Sequence, residues 1–270
     1  MPKNIVVVGM PRSGTSMVAR VFAQAGYFVA DKPDEDLRPA DHHNPGGYWE
    51  SHRLVQRNAE VFEAAGYPHD NTWLYDAIAP DFTSAIPEIR PLPGHREFLA
   101  AYQQRAPWVW KDPRLCYTLG YWWRILNPET TGVVLVTRDP RSIYQSFLRL
   151  KWRDRSPEAE ADVVARVQDH LSAARRAIDT QGIPHVVVSY EQCSQEPEIV
   201  ARSLTGLSEV AVSASSLNFD HRYDHSSTRG KLATAIDLWA GKLPASVRHA
   251  LKRIAPKSVL SALFPERQDL

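Results

Sequence analysis

A glycine-containing turn near the start of the chain has the residue types of an anion-binding site. It follows β-branched residues at positions 5–8, which predict a buried parallel strand, and it precedes apolar residues at helical spacing. Gly9 and Gly14 would let the backbone approach a ligand, while the unpaired N–H groups and the dipole of the following helix would favour an anion. The two glycines are spaced as in a nucleotide-binding P-loop, but Thr15 replaces the expected lysine and Arg12 supplies a cation before Gly14.

Further cationic and aromatic residues follow the other predicted strands. Lys111 ends an apolar strand at 108–111, Arg138 follows the strand at 133–137, and Tyr190 ends a strand at 185–190. Because ligands of parallel sheets bind at the carboxyl ends of the strands, we expect these side chains to lie near Arg12. Guanidinium groups form permanently charged, bidentate contacts to phosphate or sulfate oxygens. Since Arg138 stands where a P-loop ATPase would carry a magnesium-binding carboxylate, the sequence predicts an anion site without a metal.

Strands that alternate with helices predict an α/β fold, with a central, mostly parallel sheet flanked by helices in three layers. We expect one domain over residues 1–270. Further predicted elements are a short strand at 27–30, helices at 51–65, 96–104 and 115–126, a helix capped by Ser142, and a long amphipathic helix at 157–181. Residues 31–47 are predicted to form a loop over the substrate, and residues 67–93 to be irregular.

The composition limits the class of protein. A net charge of +1 argues against nucleic acid as a partner, and 43% hydrophobic residues suffice for a core. Cys116 and Cys193 lie far apart and outside any Cys-x-x-Cys pattern, which favours a reducing compartment. Neither a signal peptide nor an apolar run long enough to span a membrane is visible, so we expect a soluble, cytoplasmic protein.

Four segments together resemble the signatures of sulfotransferases that use 3′-phosphoadenosine 5′-phosphosulfate (PAPS). Residues 11–16 resemble the loop that binds the 5′-phosphosulfate, and residues 138–146 resemble the segment that binds the 3′-phosphate. The Lys-Asp-Pro at 111–113 is similar to that of the tyrosylprotein and bacterial branches, and Ser-Tyr-Glu at 189–191 resembles a segment near the adenine. The resemblance implies PAPS as donor, its bisphosphate PAP as product, no metal, and this set of binding residues: Pro11, Arg12, Ser13, Gly14, Thr15, Ser16, Arg138, Ser146, Tyr190, and Arg229 and Lys231 in a basic C-terminal loop.

The resemblance also implies catalytic roles. In-line transfer to a hydroxyl needs a base for its proton and cations at the leaving oxygen, and Arg12 and Lys111 suit the second task. Branches of the family use glutamate or histidine as the base. We expect Glu50 to be the base, with His42 and His43 as alternatives.

Other interpretations stay open at this point. The chain could be a P-loop kinase with a displaced cation or a catalytically silent nucleotide-binding module, and Lys111 could simply pair with Asp112. Carbohydrate, lipid and small-metabolite hydroxyls are all compatible with the sequence as acceptors.

Overall fold

A computed structural model describes residues 3–41, 44, 46–67 and 80–217, with the backbone alone at 80–82. Its central sheet contains four parallel strands in the order β2-β1-β3-β4. The strands are β1 (Asn4–Val8), β2 (Val109–Lys111), β3 (Thr131–Thr137) and β4 (His185–Ser189). The predicted α/β class with a parallel sheet is therefore confirmed.

The helices before β3 are α1 (Thr15–Gln24), α2 (Pro33–Asp36), α3 (His52–Ala64), α4 (Pro80–Ala85), α5 (His95–Gln103) and α6 (Leu115–Trp123). Those after β3 are α7 (Pro140–Arg149), α8 (Pro157–Gln181), α9 (Tyr190–Gln195) and α10 (Pro197–Ser208). Short 3₁₀ turns lie at Ile86–Glu88 and Ala214–Leu217. None of these described helices is long and apolar enough to cross a membrane.

Helices cover both faces of the sheet. Side chains alternate along each strand, so Val6 and Leu135 pack on one face while Val7 and Val134 pack on the other. The first face is covered by α3, α5, α6 and α8, and the second by α1 and α10. This arrangement confirms the three-layer architecture and leaves the carboxyl ends of the strands for the loops.

Two predicted irregular regions contain short helices, and one predicted strand is absent. Residues 27–30 form only a single bridge, between Phe28 and Trp108. Phe28 makes both backbone hydrogen bonds of this bridge, to the Pro107 carbonyl and from the Val109 amide, each at 2.9 Å. The next carbonyl, that of Val29, accepts from the Tyr102 hydroxyl of α5 at 2.9 Å. Helix α2 lies within the predicted loop at 31–47, since Pro33 suits a first helical turn and acidic residues follow it. Helix α4 and the turn at Ile86–Glu88 lie within the region predicted to be irregular.

The prediction that Ser142 caps α7 is also wrong. Helix α7 begins earlier, at Pro140, and its N-cap residue is Asp139. The Asp139 carboxylate accepts hydrogen bonds from the backbone nitrogens of Arg141 and Ser142 at 3.3 and 3.2 Å. The Ser142 hydroxyl donates to the same carboxylate at 2.9 Å. The carboxylate therefore satisfies the first turn, and Ser142 supports the capping residue.

Candidate active site

The turn after β1 packs tightly against β3 and α9. A Cβ atom at Gly9 would lie 2.6 Å from the Val136 carbonyl, and one at Gly14 would lie 2.6 Å from the Tyr190 ring. Gly14 also has a φ of +100° and is the N-cap of α1, which receives no side-chain cap. Glycine is thus required at both positions, and the first turn of α1 is left to bind a ligand.

Arg12 is held in a backbone conformation that is unusual for a residue with a side chain. Its φ is 71°, in the left-handed region, which costs about 1–3 kcal/mol and is found mainly where the surroundings impose it. The next residue, Ser13, donates to the Met10 carbonyl at 2.7 Å and so closes the turn. Pro11 is partly buried, whereas Ser13 and Thr15 are buried.

The structure brings the two predicted anion-binding segments into contact. Arg12 Nε donates to Ser146 Oγ at 3.0 Å, and Arg138 Nη1 donates to the Arg12 carbonyl at 2.9 Å. The Arg138 guanidinium carbon lies 3.9 Å from the centre of the Tyr190 ring, a cation–π distance. Residues that are far apart in the sequence therefore form one cationic cluster at the carboxyl ends of β1, β3 and β4.

This cluster retains buried donors that an anion could use. Arg138 Nε and Nη2 are buried and find no hydrogen-bond partner among the residues that the structure describes. Burial lowers the pKa of the Arg12 guanidinium, and the nearby Arg138 charge lowers it further. Unsatisfied buried donors and adjacent like charges both cost free energy, and a bound phosphate or sulfate group would relieve both. The residues present thus fit the anionic groups of PAPS.

A second cluster surrounds Lys111 at the end of β2. Lys111 Nζ donates to Glu50 Oε1, and both side chains are buried. Asp112 is engaged elsewhere, since its carboxylate accepts from Asn58 at 2.8 Å and from Arg114 Nη1 at 3.1 Å. Lys111 therefore pairs with Glu50 and not with Asp112. The pair joins a carboxylate and an ammonium group, which are the two functions that proton removal and leaving-group stabilisation require.

The segment before α3 connects the Glu50–Lys111 pair to the turn between β1 and α1. Asn44 Nδ2 donates to Ser16 Oγ at 3.2 Å. The Tyr48 hydroxyl donates to the Asp41 carboxylate at 2.9 and 3.1 Å, and both residues contribute electrostatically at Arg12. Glu50 thus follows a segment anchored beside the anion cluster.

The sequence did not indicate Arg38, whose guanidinium lies 3.8 Å from Glu50 Oε2, or Asn58, which holds Asp112. Asn58 had a detectable signal, because it is a polar residue at a position of α3 that faces the core. Arg38 had none. Four other predicted site residues, His42, His43, Arg229 and Lys231, lie outside the described residues. Within the described part of the chain, no cluster of three His, Cys, Asp or Glu side chains could hold a metal ion.

Comparison with known families identifies one that covers most of the chain. The sulfotransferase family profile matches residues 2–214. The chain belongs to the sulfotransferase family. The match contains every described residue of both clusters and ends before the predicted basic loop at 226–231.

Two solved structures are similar to this sulfotransferase chain. One is the sulfotransferase STF1 from Mycobacterium tuberculosis H37Rv, with 14% identity, a TM-score of 0.45, and coverage of 84% of this chain and 74% of that one. The other is the sulfotransferase domain of the Synechococcus PCC 7002 olefin synthase, with 16% identity, a TM-score of 0.43, and coverage of 94% and 95%. No curated protein sequence matches the chain significantly.

Proposed function

We propose that this protein transfers a sulfuryl group from PAPS to a hydroxyl group of a carbohydrate, a lipid or a small metabolite. The main support is the contact between the β1–α1 turn and the connection from β3 to α7, where Arg138 keeps two buried donors that have no partner among the described residues. The family match supports sulfuryl transfer as the reaction class. A cytoplasmic location, where Cys116 and Cys193 would stay reduced, is part of the proposal.

Donor binding would use both ends of the cationic cluster. Residues 11–16 and the first turn of α1 would bind the 5′-phosphosulfate, while Arg138 and Ser146 would bind the 3′-phosphate. The Tyr190 ring lies against both Gly14 and Arg138. It would hold these two residues in place beside the adenosine of the donor. Arg229 and Lys231 remain predicted ligands of the 3′-phosphate.

Transfer would use the buried pair. PAPS supplies an activated sulfuryl group with PAP as the leaving group. Glu50 Oε2 would take the acceptor's proton as the acceptor oxygen bonds to sulfur and the bond from sulfur to the bridging 5′-phosphate oxygen breaks. Lys111 and Arg12 would stabilise the negative charge that develops on that bridging oxygen. The proposed chemistry needs no metal ion, because guanidinium and ammonium groups supply the positive charge.

Binding of PAP by the purified protein tests the donor assignment. We expect calorimetry to detect PAP binding with the same affinity in magnesium and in EDTA, because the binding residues are cationic side chains and backbone donors. ATP should bind more weakly under both conditions. Magnesium-dependent ATP binding in preference to PAP would contradict the proposal and favour the kinase. PAP binding combined with a PAPS turnover insensitive to changes at Glu50 or Lys111 would favour the silent module.

Replacing Arg138 with alanine should weaken PAP binding. The guanidinium would lose its charge-assisted contacts to the ligand, which are worth about 1.5–3 kcal/mol, and the Arg12 carbonyl would lose a donor. Arg141→Ala is the matched control, since Arg141 lies only three residues after Arg138, in the first turn of α7, but is 80% exposed and pairs only with Glu160 among the described ion pairs. Calorimetric titration of both variants with PAP makes the comparison. An unchanged PAP affinity in Arg138→Ala would mean that the 3′-phosphate site is assigned to the wrong residues.

A further inference from the structure

We propose that Arg38 is a positioning residue that holds the second carboxylate oxygen of Glu50 in place for proton transfer. This inference rests on the proposed function and adds a residue that the sequence signatures do not include. It follows from the asymmetric surroundings of the Glu50 carboxylate, from the way Arg38 is fixed, and from the backbone strain between Tyr48 and Glu50.

The two oxygens of Glu50 have different partners. Oε1 accepts from the buried Lys111 ammonium, whereas Oε2 lies 3.8 Å from Arg38 Nη1. Since Oε1 is occupied, Oε2 is the oxygen available to take a proton. A carboxylate bound at one oxygen can still rotate, and a cation at the other oxygen restricts that rotation. Arg38 therefore determines where the basic oxygen points.

The backbone brings Arg38 to this position. The Arg38 amide donates to the Glu50 carbonyl at 3.0 Å, and Leu37 and Ser51 form an antiparallel bridge. Ser51 Oγ also donates to Asp36 Oδ2 at 2.7 Å. The two short stretches thus run side by side, and a side chain from Arg38 needs to reach only the neighbouring residue.

An aromatic ring fixes the guanidinium group. The Arg38 guanidinium carbon lies 3.7 Å from the centre of the Tyr48 ring, which favours a stacked cation. Burial, with the hydrogen bond to Asp41, raises the pKa of the Tyr48 hydroxyl to about 12. The hydroxyl therefore stays protonated and donates to Asp41, which anchors the ring beside Arg12 as well.

Backbone strain lies between the ring and the base. Trp49, which links Tyr48 to Glu50, has a φ of 57°, and its indole nitrogen donates to the Gly46 carbonyl at 2.7 Å. A left-handed residue with a large side chain costs about 1–3 kcal/mol and persists only where its surroundings fix it. The strained residue lies between Tyr48, which contacts Arg38, and Glu50, which contacts Lys111.

The Arg38 side chain contributes little to the free energy of unfolding. Its side chain is 46% exposed, and ion pairs at such exposure are worth little because solvent screens them. Removing it should therefore change turnover without changing the melting temperature. Lys111, which is 4% exposed, would not allow this separation, because its loss would leave a buried carboxylate unpaired.

The test uses radiolabelled PAPS with water as the acceptor, so no acceptor needs to be known. In Arg38→Met we expect sulfate release under saturating PAPS to fall by about 10-fold to 10²-fold, because misplacing a catalytic group by about 1 Å can cost up to about 10²-fold in rate. The affinity for PAP, measured by calorimetry, should not change. Arg38→Lys, which keeps a cation near Oε2, should recover part of the rate. A crystal structure of Arg38→Met with PAP should show the Glu50 carboxylate rotated while its contact with Lys111 persists.

Arg53→Met is the matched control. The Arg53 side chain is 53% exposed, and its Nη1 lies 3.7 Å from Oδ2 of Asp31, a carboxylate outside the candidate site. This variant should release sulfate at the wild-type rate. Wild-type turnover in Arg38→Met, or an unmoved Glu50 in its crystal structure, would overturn the role of Arg38. Loss of PAP affinity in Arg38→Met would also overturn it, because Arg38 would then bind the nucleotide. Failure of the wild-type protein to bind PAP would instead refute the proposed function.

Discussion

Removing the Arg12 side chain should abolish sulfuryl transfer. Its guanidinium is predicted to bind the transferred group and the leaving oxygen. Arg12 is also the one cationic residue in the turn between β1 and α1. Loss of one preorganised donor to a developing negative charge costs about 10²–10³-fold in rate. Because Arg12 also contacts Ser146, we expect a loss of about 10³-fold or more. Turnover of radiolabelled PAPS measures the effect.

Two variants, Arg12→Ala and Arg12→Gly, distinguish the loss of the guanidinium from a change in the backbone of the turn. Arg12 has a φ of 71°, which alanine adopts with strain and glycine without it. Arg12→Gly should therefore be the more stable of the two, whereas both should be equally inactive. Arg176→Ala, on the exposed side of α8, is the control and should keep full activity. An active Arg12→Gly would mean that the guanidinium is not needed and that only the shape of the turn matters.

Local sequence signals predicted the elements that position the site. Helix α8 was predicted at 157–181 and is found at Pro157–Gln181, because Ser156 caps its start and Gly182 ends it in a left-handed conformation. The apolar strands were equally clear, since runs of β-branched residues favour buried parallel strands. The carboxyl-end rule then placed the cations correctly on one edge of the sheet.

Contacts between distant residues were harder to predict. The apolar periodicity of α8 gave no reason to bury Arg166 and His170, which have 2% and 0% of their surface exposed. His170 Nδ1 pairs with the Tyr117 hydroxyl on α6, and Arg166 Nε lies 3.6 Å from Asp162. Such polar partners lie on other elements or turns, so no local pattern marks them.

The spacing of residues in the sequence likewise could not predict that Glu50 pairs with Lys111. The residues are 61 positions apart, and the chain around Glu50 is anchored elsewhere, by Asn44 on Ser16 and by Ser51 on Asp36. The sequence suggested both residues by resemblance but not their contact. The contact matters because it occupies Oε1 of Glu50 and leaves Oε2 as the oxygen that the proposed base would use. The proposed role of Glu50 therefore has a sharper test than substitution by alanine.

Replacing Glu50 with glutamine should reduce turnover by about 10²–10⁴-fold, the usual contribution of a general base. Glutamine keeps the shape of the side chain, and its carbonyl oxygen can still accept from Lys111, but it cannot take a proton at the position of Oε2. The affinity for PAP should therefore stay the same, and the loss should appear in kcat.

Glu63→Gln is the control for this substitution, since Glu63 lies on the exposed side of α3 and should tolerate the change. Rates of sulfate release and PAP titrations of both variants, with radiolabelled PAPS and water as the acceptor, distinguish proton removal from binding. If Glu50→Gln keeps wild-type turnover, Glu50 is only the partner of Lys111, and the base must be sought at His42 or His43. If it instead loses PAP affinity, Glu50 acts by holding Lys111 on the donor, because a group that acts only on the acceptor proton cannot change how tightly the product nucleotide binds.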